Sequence, residues 1–197
     1  MNGFEQRSEL KKSQIRQAAL KLLSKLEPFT IKDIAKEAKV SQVSIYNYFG
    51  SKDSLLMDIM KNQMESTVAE YHTSLKRDIA FPDIIKSIMM NENLILNFMN
   101  TCLEEINEKE PFLKMVEEFQ KEQLIPYFIE LMEMGSNLGY IAPNLQTSDL
   151  LFYFSMYQRE MHYLTKQKTN LQNKNEEASI SEEKLVQLFF YGLIGKS

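Results

Sequence analysis

Apolar residues recur three and four positions apart along most of this chain of 197 residues, and only six glycines and five prolines interrupt the pattern. This spacing gathers apolar side chains on one face of an α-helix, whereas a half-buried β-strand would show strict alternation. The sequence shows no such alternation and no internal repeat. We therefore predict an all-α fold of about nine helices, in one domain or two small ones.

Capping residues, prolines and glycines divide this pattern into separate helices. The expected helices are residues 9–26, 31–38, 42–49, 52–77, one from beyond Pro82 to residue 103, a short one opened by Pro111, 124–134, one from residue 147 or 148 to 166, and 181–195. Between the last two, residues 167–178 are rich in Asn, Gln, Lys and Glu, which predicts a solvated connection.

Charge and apolar volume divide the chain into two parts. Residues 1–60 hold 10 Lys+Arg and 7 Asp+Glu, whereas residues 61–197 hold 13 and 20, within a formal charge of −4. Of the 12 methionines, 11 lie beyond residue 50. A basic first part favours contact with nucleic acid, and the Met-rich remainder supplies adaptable apolar volume.

Residues 30–49 predict two short helices joined by a tight turn, with Thr30 and Ser41 as N-caps. Such helices cross at close range, so the crossing needs a small side chain with apolar anchors around it. Ala35 is that small side chain, and the anchors are Ile34, Ala38, Val40 and Ile45. The pattern is typical of a helix-turn-helix, whose second helix lies in the major groove of DNA. Two ordinary helices of an α-bundle are the alternative.

The same stretch resembles the N-terminal signature of the TetR family of transcriptional regulators, over about residues 9–57. The resemblance is carried by Ile34-Ala35, Ala38, Val40-Ser41, Ile45-Tyr46, Tyr48-Phe49, Ser51-Lys52 and Leu55. The Tyr-x-Tyr-Phe-x-x-Lys tail of this run is absent from most other helix-turn-helix proteins. The resemblance implies a three-helix DNA-binding domain at residues 1–50, followed by a larger helical ligand-binding and dimerisation domain at residues 51–197.

The resemblance also implies which residues contact double-stranded operator DNA. They are Thr30, Lys32, Ser41, Gln42, Val43, Ser44, Tyr46, Tyr48 and Lys52. Gln42 and Val43 would face base edges, and an amide such as that of Gln42 can make a bidentate contact with adenine. Thr30, Tyr46, Tyr48 and Lys52 would hold phosphates, which position the protein without reading sequence.

One residue departs from the family's pattern. Lys39 occupies a turn position where family members usually have glycine. If the turn needs a positive φ, a lysine there costs about 1 kcal/mol relative to glycine. An additional cation close to DNA phosphates would offset that cost.

The last two expected helices are apolar on more than one face. Their apolar residues are Leu150, Leu151, Phe152, Tyr153, Phe154, Met156 and Tyr157 on the first, and Leu185, Val186, Leu188, Phe189, Phe190, Leu193 and Ile194 on the second. One face of each packs within its own subunit, so the other needs a partner. The resemblance implies a homodimer through these two helices. A monomeric core that covers both faces is the alternative.

The middle of the chain is rich in methionine and aromatic residues, where the resemblance implies a cavity for a small-molecule effector. The weak candidates for ligand contact are Asn97, Tyr127, Tyr157 and His162. At helical spacing, such residues fit a plain core equally well.

Catalytic and metal-dependent functions find little support. Cys102 is the single cysteine and His72 and His162 are the only histidines, so we expect no internal disulfide, no metal site and no cofactor. Glu104 and Glu105 are expected to face solvent rather than to act as an acid–base pair. No nucleophile–base motif or phosphate-binding glycine loop indicates an enzyme.

The first 25 residues are charged, and no run approaches about 18 apolar residues, so we expect a cytoplasmic protein without membrane contact. The helix-turn-helix pattern favours a DNA-binding regulator. The resemblance implies, in addition, that it is a ligand-responsive homodimer, most simply a repressor, that binds a palindromic operator and is released by an effector. A TetR-like co-regulator that acts through protein–protein contacts is the alternative.

Overall fold

The computed structural model of the chain describes residues 3–25, 27–142, 144–170, 184 and 187–189. Its α-helices are α1 (Gly3–Leu23), α2 (Ile31–Ala38), α3 (Gln42–Phe49), α4 (Lys52–Leu75), α5 (Phe81–Glu105), α6 (Lys109–Phe119), α7 (Ile125–Asn137) and α8 (Thr147–Asn170). The predicted all-α fold is confirmed in this part of the chain. Within it, none of the helices combines the length and the apolar composition that a membrane span requires.

The expected helix boundaries hold closely for α2 and α3 and less well elsewhere. α1 begins at Gly3, six residues before the expected start. The prediction missed its first turns because they are mostly polar and lack the apolar spacing that identifies a helix. α6 begins at Lys109, so that Pro111 lies in its first turn, where the missing N–H has no helical partner to lose. The expected ninth helix, residues 181–195, lies outside the described residues except for residue 184 and residues 187–189, which are helical.

A π-helical turn, Gln120–Leu124, joins α6 directly to α7. Pro126 lies immediately after this turn, near the start of α7. The apolar spacing does not distinguish a π-turn from an interrupted α-helix, so the sequence predicts two helices here but not their continuity.

The helices form two compact units. The first comprises residues 1–66 and 98–119, and the second comprises residues 67–97 and 120–197. α4 and α5 therefore contribute residues to both units. The expected boundary at residue 50 divides the chain by proposed function and not by packing, and it stays a prediction.

The core of the first unit fixes α2 and α3 against α1 and α4. Its fully buried residues include Ile15, Ala19, Ile34, Ile45, Leu55 and Leu56. At the edge of this core, the Arg16 guanidinium donates two hydrogen bonds to the Asp58 carboxylate, at 2.6 and 3.1 Å. The hydrogen bond to Asp58 raises the pKa of Arg16 above its ordinary value. This bidentate pair joins α1 to α4.

The second unit is built around aromatic and aliphatic side chains from α4, α5, α7 and α8. The buried members are Tyr71, Phe81, Ile84, Ile85, Ile88, Met89, Tyr127, Phe128, Leu131, Met132 and Phe154. Gly135 of α7 lies directly against the Phe81 ring, where a Cβ atom would come within 2.5 Å of Cζ. The Tyr140 ring stacks on the same Phe81 ring at 5.2 Å between centroids. The absence of a side chain at Gly135 therefore lets Phe81 reach α7.

Candidate nucleic-acid interface

The N-terminus of α2 is fixed by a capping box between Thr30 and Asp33. The Thr30 hydroxyl oxygen accepts the Asp33 N–H at 3.3 Å, and Asp33 Oδ2 accepts the Thr30 N–H at 2.8 Å and the Thr30 hydroxyl at 2.6 Å. These hydrogen bonds from Thr30 lower the pKa of Asp33. Both donors of Thr30 are thus engaged by Asp33, so the structure does not present them to an outside phosphate.

The turn between α2 and α3 depends on a left-handed residue. Lys39 has φ 54° and ψ 43°, and it is the single non-glycine residue with positive φ in the described part of the chain. The Val40 N–H donates to the Ala35 carbonyl at 3.0 Å and closes the end of α2. The departure from glycine thus falls at a position that requires positive φ, as the sequence led us to expect.

α3 is a two-turn helix with a defined cap at each end. The Ser41 hydroxyl oxygen accepts the Ser44 N–H at 3.1 Å, and the two hydroxyl oxygens lie 2.8 Å apart. Gly50 has φ 80° and donates its N–H to the Tyr46 carbonyl at 2.8 Å. Because Ile45 is fully buried, the rotation of α3 about its axis is fixed by the core.

This rotation leaves one side of α3 open to solvent, which we call the α3 surface. Its exposed residues are Ser41, Gln42, Val43, Tyr46 and Asn47. Val43 is 66% exposed and Tyr46 50% exposed, so both side chains are available for contact with another molecule. Ser44 and Tyr48 are half-buried at its margin. No acidic residue occurs between Ser41 and Gly50, so nothing within α3 repels a phosphate backbone.

Sequence reasoning missed Asn47 as a member of the α3 surface. Asn47 is exposed and follows Val43 by four residues, which places the two on the same side of the helix. Asparagine is a good base-reading side chain because its amide both donates and accepts. The helical spacing from Val43 is the signal that identifies it.

The Lys52 ammonium is engaged within the protein. It donates to the Phe29 carbonyl at 2.7 Å and to Glu105 at 2.5 Å, and it lies 4.3 Å from the centre of the Phe29 ring. Its side chain is only 19% exposed. The structure therefore places Lys52 as a link between α4 and α5, rather than as a side chain that extends into solvent.

The expectation that Glu104 and Glu105 both face solvent is wrong for Glu105. Glu104 is exposed, whereas the Glu105 side chain is 14% exposed and pairs with Lys52. Next to this pair, the Asp53 carboxylate accepts the backbone N–H groups of Asn107 and Glu108, both at 3.0 Å. The first turn of α4 thus holds the corner between α5 and α6 by two adjacent charged contacts.

The weak ligand candidates lie in different surroundings. Tyr127 is fully buried, with its ring stacked on Tyr71 at 5.3 Å and edge-on to His72 at 5.1 Å. Tyr157 is half-buried and its ring lies 4.8 Å from that of Phe189. Asn97 is exposed on α5. The side chain of His162 lies outside the described residues.

A cleft of about 270 Å³ opens between the end of α7 and the start of α8. Its lining residues are Met132, Glu133, Ser136, Asn137, Leu145, Thr147 and Leu150. Met132 is the one methionine or aromatic residue in this lining. The ligand candidates that the structure describes do not contribute to it.

Comparison with known proteins identifies a family's domain in the first part of the chain. Residues 15–59 match the family model described as "Bacterial regulatory proteins, tetR family". The HTH-type transcriptional regulator HbdR of Aromatoleum sp. (strain CIB) is 41% identical over 73 residues, which are 36% of this chain and 30% of that protein. The chain thus spans under a third of this curated relative's length.

Solved structures share the fold over nearly the whole chain. The fatty acid degradation regulator FadR of Bacillus halodurans matches 94% of this chain and 97% of its own, with a TM-score of 0.68 and 18% identity. FadR of Bacillus subtilis, solved with stearoyl-CoA, matches 92% and 98%, with a TM-score of 0.66 and 18% identity. The TetR family regulator PfmR of Thermus thermophilus matches 91% and 98%, with a TM-score of 0.58 and 17% identity. The chain therefore carries the N-terminal domain of the TetR family at residues 15–59, within a fold that it shares with these solved regulators.

Proposed function

We propose that this protein is a ligand-responsive transcriptional regulator that binds a palindromic operator as a homodimer and acts as a repressor. The observation that carries the proposal is the α3 surface. Gln42 and Val43 lie exposed in its first turn, on a helix whose rotation is fixed by the buried Ile45. A short capped helix with an exposed polar and aromatic side has the dimensions and chemistry that the major groove accepts.

The proposed contacts with DNA divide by chemistry. Gln42 and Val43 read base edges, with Ser41 beside them and Asn47 one turn further along α3. Ser44, Tyr46, Tyr48 and Lys32 hold phosphates. We leave Thr30 and Lys52 out of this set because their donors are engaged by Asp33, Glu105 and the Phe29 carbonyl.

The proposed dimer uses the outer side of α8. Phe152, Met156 and Tyr163 are 64%, 38% and 55% exposed, and their spacing places them on one side of the helix. Exposed apolar side chains arranged in this way favour a partner surface. The expected second interface helix, residues 181–195, lies mostly outside the described residues. Twofold pairing would present two α3 helices to half-sites about 34–36 Å or a multiple apart.

For the effector, a long-chain acyl-CoA is the first class to test. FadR of Bacillus subtilis was solved with stearoyl-CoA and shares the fold of this chain. The core of the second unit is formed by aliphatic and aromatic side chains, which are of the kind that would line a site for an acyl chain if the helices separated. An effector of this kind would act by binding the form of the dimer whose α3 helices no longer match the half-site spacing.

Selection of duplexes from a random library tests the proposal, followed by measurement of affinity for the selected sequence. We expect a palindromic site, and we expect Gln42→Ala with Val43→Ala to weaken binding by about 10-fold or more. Lys114→Gln, which changes an exposed lysine on α6, is the matched control. If no duplex is selected, the co-regulator alternative is favoured, because it keeps the fold and acts by binding another protein.

The effector is tested separately on the selected duplex. Stearoyl-CoA should release the protein from this duplex, whereas free coenzyme A should not. Release by neither compound, with DNA binding intact, would reject the acyl-CoA class and leave the DNA-binding proposal standing.

A further inference from the structure

Lys39 holds a backbone conformation that L-amino acids with side chains rarely adopt. Its φ of 54° closes the turn between α2 and α3, and no other non-glycine residue in the described ranges has a positive φ. Glycine would take this conformation without strain. Strained positions are retained where the surrounding structure determines them and where the side chain acts. The strain at Lys39 therefore indicates that its side chain, and in particular its ammonium group, has a role that glycine would lack.

Lys39 ends a row of lysines along α2. Lys32 and Lys36 are one helical turn apart on α2, so they adjoin each other on its surface, and Lys39 is the residue that caps the C-terminal end of this helix. All three residues are exposed. We call these three residues the α2 lysine row.

The carboxylates of α2 do not neutralise this row by direct pairing. Asp33 is engaged in the cap with Thr30, and Glu37 forms an ion pair with Lys21 of α1 at 2.6 Å. Among the residues that the structure describes, no ion pair includes a member of the α2 lysine row. Asp33 and Glu37 interact with these lysines through space, but within the described ranges no direct ion pair occupies the ammonium groups of the row.

The row ends next to the surface proposed to read DNA. Lys39 precedes the Ser41 N-cap of α3 by two residues, so their Cα atoms lie at most about 7.6 Å apart. A phosphate beside the half-site read by α3 is thus within reach of a lysine side chain at position 39.

We propose that Lys36 and Lys39 bind phosphates of the DNA backbone next to the half-site that α3 contacts. The inference rests on the proposed function and deepens it, because it extends the footprint from α3 to the α2 lysine row. Phosphate contacts of this kind raise affinity for every sequence and increase its dependence on salt. They also give the left-handed lysine a role that glycine cannot fill.

The test measures binding to a 30-base-pair duplex that the wild-type protein has selected, at NaCl concentrations from about 50 to 200 mM. Lys39→Gly removes the charge and the strain together, whereas Lys39→Gln removes the charge and keeps the strain. For each we expect the slope of log K against log[NaCl] to fall in magnitude by about one per protomer. Lys36→Gln should have the same effect, and Lys114→Gln should leave the slope unchanged.

Thermal unfolding separates a DNA contact from a purely structural role. Lys39→Gly should melt at the same temperature as the wild type or higher, while binding DNA more weakly. Wild-type slopes for Lys39→Gly and Lys36→Gln would overturn the inference and leave the proposed function standing. Failure of the wild-type protein to select any duplex would overturn the proposed function, and this inference with it.

Discussion

Lys52 at the start of α4 and Glu105 at the end of α5 form a 2.5 Å ion pair whose side chains are 19% and 14% exposed. Lys52 follows Gly50, the residue that ends α3, by only two positions. The pair therefore fixes the exit of α3 against the corner between α5 and α6, within one compact unit. It explains why a lysine at this position does not extend into solvent.

Loss of the Glu105 charge should destabilise the protein by about 1–3 kcal/mol, because the half-buried Lys52 ammonium would keep the Phe29 carbonyl and ring but lose its counter-ion. The measurement is the free energy of unfolding of Glu105→Gln in urea. Glu104→Gln is the matched control, since Glu104 is the exposed neighbour, and it should change stability by less than about 0.5 kcal/mol. Equal effects of the two substitutions would show that the ion pair contributes nothing.

The cap of α2 should weaken in acid. Hydrogen bonds from Thr30 hold the pKa of Asp33 below its ordinary value of 3.8 in the folded protein. A depressed pKa means that the ionised carboxylate stabilises the fold above the unfolded-state pKa, and that this contribution is lost as pH falls through the folded-state pKa. Titration of the Asp33 carboxyl carbon by NMR should give a midpoint below 3.8 in the wild type. In Thr30→Ala the midpoint should move up toward that value; an unchanged midpoint would contradict the capping geometry.

A methyl group at position 135 should disturb the second unit. The Cβ atom of Gly135→Ala would lie 2.5 Å from the Phe81 ring and 2.7 Å from Ile141 Cδ1, so the ring or α7 has to shift. Overpacking of this kind costs about 1–3 kcal/mol, which outweighs the higher helix propensity of alanine. The control is Ser136→Ala, at the exposed next position of α7, which should be neutral within about 0.5 kcal/mol. Chemical denaturation of the two variants decides between steric and propensity effects.

The helices that carry the proposed site could be read from the sequence because their signals are local. Thr30 and Ser41 cap α2 and α3, and the expected limits of both helices agree with the structure. The left-handed turn at Lys39 was also predictable, because this residue occupies a turn position where TetR-family members usually have glycine, the residue that most readily adopts a positive φ. Capping and turn chemistry act within a few residues, and a sequence displays them directly.

The contacts of Lys52 could not be read in this way because its partner lies 53 residues further along the chain. Glu105 stands beside Glu104 in a polar pair, and nothing local indicates which of the two carboxylates turns inward. The same holds for Gly135. A Cβ atom at this position would collide with the Phe81 ring, which is distant in sequence, so the sequence near Gly135 does not show that glycine is required. Long-range pairs of this kind depend on how helices pack, which apolar spacing constrains only in part.

The central claim is that the α3 surface reads base pairs, and the most direct measurement is a second duplex selection with Gln42→Ala. An amide contact specifies one base pair, so its loss should relax the preference at one position in each half-site and leave the other positions unchanged. The melting temperature should stay at the wild-type value, because Gln42 is exposed and forms no part of the core. A selected sequence identical to that of the wild type would contradict the claim that Gln42 faces a base edge.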